Sequence, residues 1–158
     1  MRNRNALGFF SLLFSLVVAS YTFAQNKPAD ITAEIRHSLN LWNETAKKAD
    51  LNAFVDLFDS SPNILLVGSD SGEIFKGKEQ ISQWASSLFE HHRFEWDMQQ
   101  IEIDNYQGCA WVFMNGSMIV TNDQGKKSKT PYRFTGVMIK RNGQWKWRLF
   151  NGSIPKAE

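Results

Sequence analysis

Residues 132–153 read YRFTGVMIKRNGQWKWRLFNGS. Polar and apolar residues alternate on both sides of Asn142-Gly143. That dipeptide suits a two-residue turn needing positive φ at both positions, so the stretch reads as an antiparallel hairpin. Its arms cover residues 132–140 and 145–153. In the second arm Trp145, Trp147, Leu149, Asn151 and Ser153 fall on one face, and Lys146, Arg148, Phe150 and Gly152 on the other. The first set is the more apolar, which turns it inward.

The period of two extends upstream. Residues 109–121 form a long strand, entered through Asn105-Tyr106-Gln107-Gly108, and residues 94–103 form another. The run Lys126, Lys127, Lys129 beside the Asp123-Gln124-Gly125 turn reads as solvated turn. Before residue 94 the period is helical. Asp30 is a plausible N-cap, and Ile31, Ile35, Leu39, Trp42, Ala46 and Ala49 recur at steps of three and four. Asp50 caps a shorter helix with Leu51, Phe54, Val55 and Phe58 on its apolar face, ended by Ser60-Ser61-Pro62-Asn63. Residues 64–67 and 73–75 are short strands around the Gly68-Ser69-Asp70-Ser71-Gly72 turn. Gly77 opens a third helix, with Ile81, Trp84, Ala85 and Leu88 on one face. Helices first and a strand meander last make an α+β protein. The expectation is three N-terminal helices in the concave face of a strongly curved antiparallel or mixed sheet, a cone-shaped half barrel.

Composition bounds the function. With 42% hydrophobic and 22% charged residues over 158 positions, the chain is an ordinary globular protein, not collagen, long disorder or a multi-pass membrane protein. Arg2 and Arg4 are the only charges in the first 24 residues; subtracting them from 18 basic residues leaves 16 basic against 16 acidic ones. A neutral remainder carries no footprint for nucleic acid or an anionic membrane. Arg2 and Arg4, the apolar stretch from Ala6 to Ala19 and Thr22-Phe23-Ala24 read as a signal peptide, residues 1–24, cleaved after Ala24. The remaining residues, 25–158, read as one secreted or periplasmic domain. Its one cysteine, Cys109, allows no intrachain disulfide, and no cysteine follows the apolar stretch to take a lipid.

The order of these elements resembles the nuclear transport factor two-like superfamily, in particular its SnoaL-like members. The likeness covers about residues 31–155. Ala53-Phe54 through Phe58 before a strand, Glu73-Ile74-Phe75-Lys76-Gly77-Lys78-Glu79-Gln80-Ile81 and Arg133-Phe134-Thr135-Gly136-Val137 carry it, with Gly143-Gln144-Trp145 and the end at Asn151-Gly152-Ser153. The resemblance implies a fold that hosts many activities. It also implies pairing through an open sheet face, hence a homodimer. Ketosteroid isomerases share the fold, but their tyrosine position falls on Trp42, their base near Leu66 and their acid near Thr135 or Gly136. None of these keeps the required chemistry, so an isomerase of that type is not supported. The final strand is also similar to the association domain of calcium/calmodulin-dependent kinases, with Asn151 where that domain has a histidine.

Several residues are candidates for a site. Trp147 and Asn151 on the last strand, Trp111 and Phe113 on the long one, and Trp42 and Phe58 from the helices either line a cone or fill the core. A lined cone would suit a flat, apolar or aromatic small molecule. Arg133, if inward, would hold an anionic or carbonyl group, as implied by the interior arginine of family members; if outward, it is a surface cation. Asp97, on the face of Gln99, Ile101 and Ile103, is the candidate catalytic base for a cofactor-free isomerase, dehydratase or cyclase; its other reading is a surface strand residue. Adjacent His91 and His92 do not share a helix face, and no third ligand stands at a recognisable spacing, so neither metal nor cofactor is expected. The remaining reading is a homodimerisation module with a vestigial pocket. Asn43-Glu44-Thr45, Asn115-Gly116-Ser117 and Asn151-Gly152-Ser153 match the glycosylation sequon by chance.

Overall fold

The computed structural model describes residues 30–156; the expected leader, residues 1–24, lies outside them. The chain runs α1 (Ile31–Lys48), α2 (Leu51–Asp56), β1 (Leu65–Val67), β2 (Ile74–Lys76), α3 (Gly77–His91), β3 (His92–Asp97), β4 (Ile101–Tyr106), β5 (Cys109–Asn122), β6 (Lys127–Arg141) and β7 (Gln144–Ser153). The expected α+β order is present.

Local chemistry explains the helices. Asp30 caps α1, its carboxylate accepting from the Ala33 N–H at 3.3 Å. Ile35, Leu39, Trp42 and Ala46 bury one stripe of that helix. Ala49 then turns left-handed at φ 53° and ends it. Asp50 restarts the chain as the cap of α2, accepting from the Ala53 N–H at 3.0 Å.

The sheet is mixed, curved and unclosed, in the order β2-β1-β7-β6-β5-β3, with β4 also paired to β5. Its one parallel contact in that order joins β1 to β7. The expected strand at residues 94–103 is two strands. β3 pairs with the far half of β5 and β4 with its near half, and residues 98–100 break the ladder between them. The lysine run is not all turn either. β6 starts at Lys127, and exposed Lys127 and Lys129 alternate along it.

Strand β7 holds the main departure. Val137 pairs with Leu149 and Met138 with Trp147, so Arg148 has no partner and forms a β-bulge. The alternation inverts there. Trp145 and Trp147 point inward before the bulge; Phe150 and Gly152 point inward after it. Phe150 is therefore core, at 2% exposure, and Leu149, Asn151 and Ser153 belong to the outer face. The extruded Arg148 donates to Asp59 Oδ2 at 2.8 Å, while Arg141 stands 3.4 Å from the other oxygen. Asp59 itself is 3% exposed. Burial pushes its carboxyl up, but Arg148, the N–H groups of Ser60 and Ser61 and the charge of Arg141 outweigh that and hold it below the usual range.

The core sits between helices and sheet, around Trp42. Its ring lies 4.4 Å from Phe54, 5.0 Å from Phe150 and 5.4 Å from both Trp96 and Trp147. Asn43, the next residue on α1, locks the helix to β3. Its amide accepts from the Trp96 N–H at 2.8 Å and donates to the Trp96 carbonyl at 3.4 Å.

Candidate functional site

A cavity of about 140 Å³ lies between the helices and the sheet. Trp42, Phe54, Trp84 and Phe89 wall it from the helices. Phe94 and Trp96 of β3, Met118 of β5 and Phe150 of β7 wall it from the sheet. The turn between β1 and β2 closes one end with Gly68, Ser69, Asp70 and Glu73, and Tyr132 of β6 stands beside it. Polar side chains are thus confined to that end.

The polar end is built from close approaches. Glu73 folds back under its own turn, accepting from the Trp84 indole at 3.1 Å and from the Asp70 N–H at 3.0 Å. Only a glycine at 68 permits this, because a Cβ there would overlap the Glu73 side chain. Gly152 does the same for Tyr132, whose hydroxyl occupies the place of the missing Cβ. Tyr132 is 4% exposed. Burial pushes its phenol up to about 12, the charges of Glu73 and Asp70 push the same way, and the Ser69 side chain opposes them. At neutral pH the cavity therefore meets an uncharged phenol, able to donate and accept.

The structure separates the residues singled out from the sequence. Trp42 lines the cavity. Phe58 and Trp147 are buried core, joined by a parallel bridge, and do not reach it. The other four face away from the helices. Trp111 pairs across the sheet with Val137 and then Leu149, Phe113 with Thr135 and then Asn151, and Asn115 with Arg133 and then Ser153. These three rows make the outer face, where Trp111 is 48% and Phe113 37% exposed. On β5 it is Ala110, Val112 and Met114 that face the core, so the larger aromatics were assigned to the wrong side. Arg133 donates to Asn115 Oδ1 at 3.1 Å, in solvent. Asp97 also turns from the cavity. Its neighbour Trp96 points in, while its own oxygens meet the Gln99 N–H at 3.3 Å and Lys129 at 4.0 Å.

Sequence reasoning passed over Trp84, Trp96, Tyr132 and Glu73 as site residues. No local signal marks them, because the close approaches of Glu73 to Gly68 and of Tyr132 to Gly152 arise only in the folded chain. A wider depression of about 630 Å³ lies outside α1 and α2 against the β6–β7 turn. It is an open groove, crossed by Glu34, which accepts from Lys140 and from the Trp145 indole. Those two bonds hold the Glu34 carboxyl below its usual range. The smaller cavity, with its aromatic walls and clustered polar end, is the better candidate site.

The SnoaL-like domain family matches residues 35–157. This chain belongs to that family. No curated protein matches it. Solved structures share the fold. A dehydratase candidate of the nuclear transport factor 2-like family from Streptomyces avermitilis aligns with a TM-score of 0.72 at 11% identity, over 83% of this chain and 100% of that one. A candidate calcium/calmodulin-dependent protein kinase II association domain from Xanthomonas campestris gives 0.66 at 21%, over 79% and 88%. A ketosteroid isomerase-like protein from Erwinia carotovora atroseptica gives 0.66 at 16%, over 82% and 99%. At these identities the SnoaL-like chain shares their architecture, and its site must be read from its own residues.

Proposed function

We propose that this SnoaL-like protein is an exported binding module that holds a small, flat, apolar or aromatic molecule in its cavity. The observation that carries the reading is a cavity walled largely by aromatic rings, with polar groups at one end only. Apolar rings supply affinity in such sites, and a few polar groups set orientation. The volume suits a single ring, since an apolar cavity of about 150 Å³ is known to admit benzene. Export is supported by the sequence pattern of residues 1–24, and amino-terminal sequencing of the protein from its host checks cleavage after Ala24. The alternative is an isomerase- or dehydratase-type enzyme, as the names of its structural neighbours suggest. It would need a proton carrier at the cavity, and Asp97 and Arg133 do not reach it; Glu73 and Tyr132 do.

Native mass spectrometry of protein secreted by its own host tests the binding reading. The expected result is a small molecule that leaves on denaturation. Protein that carries none, and whose tryptophan fluorescence no monocyclic aromatic alters, overturns it.

The outer face favours a second, compatible element. Trp111, Phe113, Val137 and Leu149 form an apolar patch that no described residue covers, and a second copy of this chain is the occupant the family resemblance suggests. Phe113→Lys is expected to convert a dimer to a monomer by sedimentation. A wild-type monomer, or an unchanged dimer in the variant, removes this face from consideration.

A further inference from the structure

We propose that the cavity selects organic cations: a small amine whose apolar part enters the aromatic space while its ammonium group meets Asp70 and Glu73. The proposal rests on the binding reading above and adds the charge of the ligand to it. Three observations carry it. First, among the described residues Asp70 and Glu73 are the only charged side chains at the cavity, and no lysine, arginine or histidine among them lines it. Arg133, the sequence's candidate for holding an anion there, lies on the opposite face of the sheet.

Second, among the described acids that are not solvent-exposed, Glu73 alone has no cation beside it, while Asp70, exposed at the turn, shares that lack with other exposed acids such as Asp30 and Glu79. Asp59 has Arg148 and Arg141, Asp56 has Lys146 and Lys78, and Glu34 has Lys140. Among the described residues no such partner stands within 4.0 Å of Asp70 or Glu73. The hydrogen bonds Glu73 does make, to an indole and a backbone N–H, fix its position without neutralising it. The charges felt at the Tyr132 hydroxyl are likewise these two carboxylates.

Third, the walls suit the same sign. The face of an aromatic ring is electron-rich and attracts an ammonium group most strongly where water is excluded. Trp84 donates its indole N–H to Glu73, so ring and carboxylate are held side by side at the polar end. An anion entering there would meet two carboxylates and no donor of positive charge. A neutral ring would gain burial alone.

Three probes of one shape test this: benzylammonium, benzyl alcohol and benzoate, titrated by calorimetry and tryptophan fluorescence at low and high salt. Benzylammonium should bind about tenfold more tightly than benzyl alcohol at low salt, with benzoate weakest. Added salt should narrow the gap. Glu73→Gln keeps an oxygen for the Trp84 indole but turns its NH2 toward the Asp70 N–H, so the readout is the ratio of amine to alcohol affinity, which should fall to near one whatever happens to each affinity alone. Asp70→Asn, at an exposed turn position, is the second variant should Glu73→Gln not fold. Equal binding of amine and alcohol overturns the charge proposal and leaves the binding reading standing, as does preference for benzoate. Failure of all three probes to bind the wild-type protein overturns both.

Discussion

Deleting Arg148 is expected to leave the protein folded. The two halves of β7 keep their registers against β6 on either side of this residue, Val137 with Leu149 and Met138 with Trp147. Without Arg148 the strand alternates without interruption: Trp145 and Trp147 in, Leu149 out, Phe150 in, Asn151 out. No inward side chain changes face. The loss is the 2.8 Å bond to Asp59, and a charge-assisted bond contributes about 1.5–3 kcal/mol. Asp59 retains Arg141 and nearby backbone donors. A continuous ladder returns on the order of 1 kcal/mol. The net cost is about 0.5–2 kcal/mol, or a fall in Tm of roughly 2–8 °C for a domain of this size. Deleting Lys146 is the contrasting perturbation. It places Trp145 next to Trp147 and turns one of two buried indoles outward, at a cost of at least about 3 kcal/mol, a large share of an ordinary domain's stability. Circular dichroism melts of both deletions read the difference. If the two are equally destabilising, or if loss of Arg148 unfolds the chain, the bulge is not what sets the inward residues of β7.

Three further outcomes follow from buried groups. Trp147 is 0% exposed and its indole N–H finds no acceptor among the described residues. Trp147→Ala should therefore cost about 3–5 kcal/mol, whereas Trp147→Phe, which relieves an unpaired donor, should cost well under half of that in urea unfolding. Tyr132 is raised to about 12 in the fold. Its contribution is fully present below the unfolded value of about 10 and is lost as pH rises through the folded value, so wild-type urea midpoints should fall over that alkaline window more than those of Tyr132→Phe. Asp59 is shifted the other way; its contribution is present above an unfolded value of about 3.9 and is lost as pH falls through the lower folded value. Asp59→Asn should flatten that acid limb, and an unchanged limb would place the acid sensitivity elsewhere.

The fold was legible because its signals are local. The stripe from Ile35 to Ala46, the caps Asp30 and Asp50 and the Asn142-Gly143 turn each specify an element within a few residues, and all are found. The site was less legible because it depends on which face of a strand turns inward. Alternation shows that Trp111 and Phe113 share a face of β5, but not which one. Ala110, Val112 and Met114 make the opposite face apolar as well, and size alone favoured the wrong set. In β7 the alternation is broken by one residue, and a bulge leaves no mark in a pattern of Trp, Lys, Trp, Arg, Leu and Phe. The turn carrying Ser69, Asp70 and Glu73 looked like an ordinary connection, because its importance comes from distant partners, Trp84 and Tyr132.

The same two strand decisions determine the character of the cavity. Parity on β6 sends Tyr132 and Phe134 inward and Arg133 outward; the bulge on β7 expels Arg148 to Asp59 and brings Phe150 in. The cations of the final hairpin are thereby spent on the outer face and on acids outside the cavity, so the hairpin sends only uncharged side chains inward. Charge reaches the cavity from one direction, the β1–β2 turn, and that charge is acidic. If either strand slipped by a single residue, an arginine would enter the cavity and its preference would reverse to anions. Introducing a cation directly, as Met118→Lys on the inward face of β5, tests that logic: the variant should favour benzoate over benzylammonium if it folds with its helices intact by circular dichroism. A folded variant with the wild-type order of affinities would show that the walls, and not the charges at the polar end, decide what binds.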